Sequence, residues 1–171
     1  TSQLADHAQV GSLSVIEQKA AVVRVTDSPV PRVTFPWVER PELSIVIVAF
    51  GKGLVLDHCL DSLGASVAAD GIAAEVIVVD NDHPHRGHAA GNRVAISSRG
   101  VRLIQPTANL GFGGGNNAGA AAARAAMLAF VNPDVIVSSG QLRSLLDAAR
   151  SKPDLISAPA LIFPDGSLQE L

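Results

Sequence analysis

Cysteine, long apolar runs and an excess of charge of either sign are all scarce in this chain, and each scarcity removes a class of protein. The 171 residues hold one cysteine, Cys59, so no disulfide can close within the chain and no cysteine-based zinc cage can be built. Cys59 falls in a helical pattern rather than beside a nucleophile-activating motif, so a buried structural thiol is expected. No stretch approaches the roughly 18 consecutive apolar residues that span a bilayer, and the start lacks the basic front and apolar middle of a signal peptide. A cytoplasmic setting is therefore the default expectation. Thirteen Lys and Arg against sixteen Asp and Glu leave a net charge of -3, with a pI near 5.9. That balance gives no broad basic surface for nucleic acid or anionic lipid, so any phosphate site must be local. What remains is an ordinary globular composition, 47% hydrophobic and 17% charged, enough for one domain with its own core.

Residues 1–40 show weak periodicity. Two β-like runs, around 21–25 and 30–35, are interrupted by Pro29, Pro31 and Pro36, and the stretch reads as a leader or the edge of a preceding domain. From Pro41 the pattern sharpens. Leu43 to Phe50 is a nearly continuous apolar run rich in β-branched residues, the signature of a strand buried on both faces of a parallel sheet. Leu56, Cys59, Leu60 and Leu63 then recur at helical spacing and are expected to stop near Gly64. Glu75 to Asp80 reads as a second strand, Val101 to Gln105 as a third and Met127 to Val131 as a fourth. An alanine-rich helix is expected over Asn116 to Ala126, and another around Leu142 to Ala149, capped by Ser138 or Ser139. Leu155 to Phe163 reads as extended, followed by a Pro164-Asp165-Gly166 turn in which glycine accepts a positive φ. Strands alternating with helices imply an α/β fold with a parallel sheet.

In such sheets ligands bind beyond the carboxyl ends of the strands, and three unusual segments fall there. Asp80, followed by Asn81, can accept from a nucleobase N–H or ribose hydroxyls, or can simply cap a turn. The glycine-rich stretch Asn109 to Gly119 lets a backbone approach a ligand and precedes a helix, although it could also be a flexible connector. Asn116 stands where a dinucleotide fingerprint needs its last glycine, and no Gly-Lys-Ser/Thr follows, so neither of those phosphate motifs is present. Asn132-Pro133-Asp134 ends a strand with two oxygen-bearing side chains, suited to Mg²⁺ or Mn²⁺ or to a plain turn. His83, His85 and His88 read as a solvated loop rather than a zinc site, and a G-x-S-x-G hydrolase elbow is absent.

Taken together, the strand at 44–50, Val78-Val79-Asp80-Asn81, the stretch 109–119 and Asn132-Pro133-Asp134 resemble family 2 glycosyltransferases in order and spacing, and the rhamnosyltransferase-like branch in particular. The resemblance covers residues 41–171. It implies a GT-A (Rossmann-like) fold and an inverting transfer from a nucleoside-diphosphate sugar (dTDP-, UDP- or GDP-linked) to a carbohydrate or lipid-linked acceptor, of hexosyltransferase type, in cell-envelope polysaccharide assembly. By the same resemblance Asp80 and Asn81 contact the nucleobase or ribose, with Ala49 and Phe50 nearby. Gly111, Gly113, Gly114 and Asn116 line the donor pocket, and Asp134, the metal ligand, with the donor-binding Asn132 beside it, holds the divalent metal and the diphosphate. A lipid-linked acceptor would bring the protein to the inner face of the membrane as a peripheral partner. Two departures stand out: Ala49-Phe50-Gly51 replaces the commoner Thr-Tyr-Asn, and the neutral Asn132 replaces a carboxylate. The family's general base is expected beyond Leu171, which makes 41–171 a domain with an incomplete acceptor half. The rival readings are a non-catalytic nucleotide-sugar-binding module of a larger assembly protein and a dinucleotide-dependent oxidoreductase.

Overall fold

The computed structural model describes residues 33–51, 53–82, 99–152, 154–163 and 165–169. Four strands form one sheet: β1 (Leu43–Ala49), β2 (Ala74–Asp80), β3 (Arg102–Ile104) and β4 (Met127–Val131). Their order is β3-β2-β1-β4 and every pairing is parallel. β1 and β2 are buried along their whole length, as their largely apolar runs require of central strands. β4 lies at an edge, and its Leu128 and Phe130 stay partly exposed.

Helices cover both faces. Leu56, Cys59, Leu60, Leu63 and Val67 of α1 (Gly53–Ala69), with Leu142 and Leu146 of α3 (Gln141–Ser151), join Ile45, Ile47, Val76 and Val78 in one hydrophobic core. On the other face α2 (Gly111–Ala122) lies on β1 and β2. It comes so close that a Cβ at Gly115 would sit 2.8 Å from Val48 Cγ1, and one at Gly119 would overlap Val46.

The helix boundaries differ from expectation for identifiable reasons. α1 continues past Gly64 because that glycine serves packing: a Cβ there would lie 2.6 Å from Val33 Cγ1. The stretch expected as a glycine-rich loop is the opening of α2, in which Gly115 and Gly119 stand one turn apart and present backbone to the sheet. α2 also stops at Ala122, short of Ala126, because the next backbone N–H groups are used elsewhere. Arg124 N–H donates to Glu75 at 2.6 Å and Ala125 N–H to Ser44 Oγ at 3.0 Å. Ser138 and Ser139 do not cap α3: Gly140, at φ +85°, takes that place and donates its N–H to Asp70 at 2.8 Å. The turn after Phe163 matches expectation, with Gly166 at φ +88° and an antiparallel bridge between Ile162 and Leu168.

Part of the stretch read as a leader packs on this body. Phe35 is buried in the core, its N–H donates to the Arg99 carbonyl at 2.6 Å, and Val33 N–H donates to Asp61 at 3.2 Å. Arg99 is itself buried and paired with Asp57, at 2.9 Å, and Asp61 on α1. The run around 21–25 lies outside the described residues.

The amino ends of the strands carry a polar lock. Glu75, buried on the α2 face of β2, accepts from Ser44 Oγ at 2.7 Å, Arg124 Nε at 2.8 Å and Arg102 Nη1 at 3.1 Å. Arg124 also stacks over the Trp37 ring at 4.0 Å.

Candidate functional site

The strand order places the site. Chain direction runs from β1 through β2 to β3 at one edge, then returns to the other side of β1 to form β4, so the topological switch falls between β1 and β4. At such a switch the connections leave in opposite directions and open a crevice at the carboxyl ends. Phe50 and Gly51 leave β1 there, and Asn132, Pro133 and Asp134 leave β4. Asp80 ends β2 directly beside Ala49. Two strand spacings, about 10 Å, separate β2 from β4, the span a ligand must bridge to touch both.

Each exit is shaped by local hydrogen bonds. Asp82 N–H donates to Asp80 Oδ1 at 3.3 Å, an Asx-type turn that holds the Asp80 carboxylate at the strand end. Asp80, Asn81 and Asp82 are all buried. Asn81 N–H continues the ladder to the Ala49 carbonyl at 2.8 Å. Its side-chain amide donates to the Gly111 carbonyl at 2.8 Å and accepts from Leu110 N–H at 3.1 Å. Asn109 Oδ1 accepts from Gly111 N–H at 2.7 Å, and Gly111 adopts φ +69°, which glycine takes without strain.

Beyond β4, Val135 N–H closes the Asn-Pro-Asp turn on the Asn132 carbonyl at 3.2 Å. α1 holds this loop through three side chains one or two turns apart. Cys59 Sγ donates to the Asn132 carbonyl at 3.6 Å, Ser62 Oγ accepts from Val137 N–H at 3.1 Å, and Ser66 Oγ donates to the Ser138 carbonyl at 3.3 Å. Burial and then the nearby Asp134 charge push the Cys59 thiol up to about 12, against an opposing contribution from Val135 N–H. The thiol is therefore a structural donor, as its place in a helical pattern suggested.

The structure thus brings Ala49, Phe50, Asp80, Asn132 and Asp134 to one end of the sheet, and Asn81 ties α2 to the same end. Phe50 is 57% exposed, and Asn132 and Asp134 are exposed, whereas Ala49 is buried and contributes backbone. Gly111, Gly113, Gly114 and Asn116 lie in the first two turns of α2 rather than in a loop, with Gly113 open to solvent and Asn116 half-buried. The histidines at 83, 85 and 88 lie outside the described residues. Among the described residues no group of three or more His, Cys, Asp or Glu could hold a metal. Sequence reasoning missed the α1 stripe of Cys59, Ser62 and Ser66. Its spacing of three and four residues was the available signal, hidden because Cys59 also belongs to the apolar face.

Known proteins resemble this chain in sequence and in fold. The family model described as Glycosyl transferase family 2 matches residues 44–170. Over 109 residues, 64% of this chain, the sequence is 31% identical to the succinoglycan biosynthesis protein ExoO of Rhizobium meliloti (strain 1021). It is 29% identical over the same length to EpsJ of Bacillus subtilis (strain 168), described as an uncharacterized glycosyltransferase. The match spans 30% of the length of each of these relatives. Among solved structures, S. aureus TarS 1–349 superposes with a TM-score of 0.50 at 16% identity, over 69% of this chain and 38% of that one. At that identity the likeness speaks to the fold, which is GT-A-like. With the family match running from the first strand through the Asn-Pro-Asp turn, the chain belongs to glycosyltransferase family 2.

Proposed function

We propose that this chain forms the donor-binding part of an inverting glycosyltransferase that moves a hexosyl group from a nucleoside diphosphate to a hydroxyl acceptor. The observation that carries the reading is the topological switch point, where the Asp80 strand end, exposed Phe50 and exposed Asp134 share one end of the sheet. Asp80 is the candidate acceptor for nucleobase or ribose donors, and the exposed Phe50 ring offers an apolar face to a base. The Asn132-Pro133-Asp134 sequence favours the rhamnosyltransferase-like branch. A lipid-linked acceptor, and with it peripheral membrane association, belongs to the same reading. Among the described residues no helix is long and apolar enough to cross a membrane.

A divalent metal fits this site in one form. One exposed carboxylate, Asp134, is too few ligands for an all-protein cage but suits Mg²⁺ or Mn²⁺ held jointly by protein and diphosphate oxygens. Bound there, such an ion would neutralise charge on the departing diphosphate. The chain's own residues orient the donor. The α1 stripe fixes the loop that carries Asp134, and Asn81 fixes α2 against the strand ends. In the reaction the acceptor oxygen bonds to the anomeric carbon as the bond from that carbon to the phosphate oxygen breaks, and the acceptor's proton passes to a base. Asp165 is ill suited to act as that base, because the Ser167 hydroxyl and N–H donate to its carboxylate and hold its pKa below the usual range.

Thermal unfolding with UDP, dTDP and GDP, with and without Mn²⁺, tests the reading. A nucleotide at about 100 times its dissociation constant adds roughly 2.7 kcal/mol, or about 5–10 °C in a domain of this size. The expected result is a metal-dependent shift with one nucleotide that Asp134→Ala abolishes. No shift with any nucleotide would sink the donor-site reading.

A further inference from the structure

We infer that Asn81 is a positioning residue of the donor site: its side chain locks the start of α2 to the exits of β1 and β2 and acts on the donor only through that lock. The inference rests on the donor-site reading above and concerns how that site is held in shape. Three elements meet at this residue. Its N–H extends the sheet to Ala49, while its side-chain amide donates to the Gly111 carbonyl at 2.8 Å and accepts from Leu110 N–H at 3.1 Å. An Asn amide presents one donor and one acceptor edge, and here both meet backbone groups of the turn that opens α2.

The surroundings leave this role little competition. Asn81 is 3% exposed, and a Cβ placed on Gly115 would already lie 3.4 Å from its Nδ2, so the amide sits between helix and sheet. Leu110, the N-cap of α2, makes no side-chain capping bond, and Gly111 is at φ +69°. The orientation of the first turn is therefore set from outside the helix, by Asn81 together with Asn109. At that exposure the amide presents almost no surface to a ligand. Aspartate is the informative replacement, because it keeps an acceptor for Leu110 N–H but turns a carboxylate oxygen toward the Gly111 carbonyl.

The test uses the full 171-residue chain as wild type, Asn81→Ala and Asn81→Asp. Amide hydrogen exchange is measured without ligand, and affinity for UDP, dTDP and GDP is measured with Mn²⁺. Exchange at Leu110, whose N–H is bonded to the Asn81 side chain, is expected to speed up by about tenfold in Asn81→Ala and by less in Asn81→Asp, which keeps an acceptor, while β1 and β2 amides keep their protection. Affinity for the nucleotide that wild type prefers is expected to fall by about tenfold. Weaker binding with unchanged exchange at Leu110 would mean direct contact with the ligand and would overturn the inference. Faster exchange with unchanged affinity would reduce Asn81 to a purely structural residue and overturn it as well. Gly111→Ala strains the same turn while leaving the Asn81 side chain in place, so normal nucleotide affinity in that variant overturns the inference even where the Asn81 variants fail to fold. A wild type that binds none of the nucleotides removes the donor-site reading itself, whereas binding by wild type and both variants alike removes only this inference.

Discussion

Replacing Glu75 with glutamine is expected to remove a share of stability that depends on pH in a calculable way. The buried carboxylate accepts four hydrogen bonds, from Ser44 Oγ, Arg124 N–H, Arg124 Nε and Arg102 Nη1. Burial pushes its pKa up, but those donors outweigh burial and hold it at about 2, against an ordinary 4.5. A carboxyl whose folded-state pKa lies below its unfolded value stabilises the fold fully above the unfolded value. That contribution is lost as pH falls through the folded value. The window therefore runs from about pH 4.5 down to about 2. At 1.36 kcal/mol per unit the difference caps the contribution at about 3 kcal/mol. Arg102 shares its charge with solvent, which places the realised value nearer 2 kcal/mol. Urea unfolding of wild type and Glu75→Gln, followed by circular dichroism from pH 7 to pH 3, should show a gap of about 2 kcal/mol at neutral pH that narrows below about pH 4.5. Glu42 and Asp165 also have lowered pKa values, so wild type alone loses stability in acid for several reasons, and the difference between the two proteins isolates Glu75. A gap of constant size across the whole range would refute the assignment.

Two further outcomes follow from packing. Gly119→Ala places a methyl group against the fully buried Val46 and should cost about 1–3 kcal/mol in urea unfolding, whereas Gly113→Ala, with nothing within 4 Å of its added carbon, should leave stability within about 1 kcal/mol of wild type; equal effects would mean that α2 does not lie on β1 as described. Cys59, fully buried and with its thiol pushed up to about 12, should resist alkylation at pH 8 until the protein unfolds, and native labelling at the rate of a free thiol would contradict its role as a donor to Asn132.

Much of the fold was legible because burial and periodicity are local signals. The runs that became β1, β2 and β4 are apolar apart from Ser44, Glu75 and Asp80, and the candidate residues Asp80 and Asn132 to Asp134 stand where those runs end. The misread boundaries share one cause. A glycine in sequence signals a break, yet Gly64, Gly115 and Gly119 are glycines because another chain segment presses on them, and a pressing neighbour distant in sequence leaves no local mark. Glu75 did leave a mark that could have been used: a lone acid inside an apolar strand must find partners when buried. Which partners it finds, Ser44, Arg102 and Arg124, depends on strand order and on where α2 ends. Arg99 is less legible still, since its burial depends on Asp57 and Asp61 of α1 and on the Val33 strap.

The two ends of the sheet solve different problems with the same few residue types. At the amino ends, Glu75 uses its hydrogen-bonding capacity inside the protein, and the surrounding arginines and serine hold β1, β2, β3 and the approach to β4 in register. At the carboxyl ends the bonds that fix the structure are made by side chains reaching to backbone: Asn81 to Leu110 and Gly111, Cys59 to Asn132, Ser62 to Val137. Holding a loop by its backbone leaves the loop's own side chains available, which is why Asn132 and Asp134 stay exposed although their turn is tied to α1. A loop held this way can exchange the side chains of Asp134 or Asn132 for others without losing the turn that presents them. A different side chain at position 132 is therefore expected to leave the fold unchanged, because the interaction that anchors the residue runs through its carbonyl oxygen and not through its side chain.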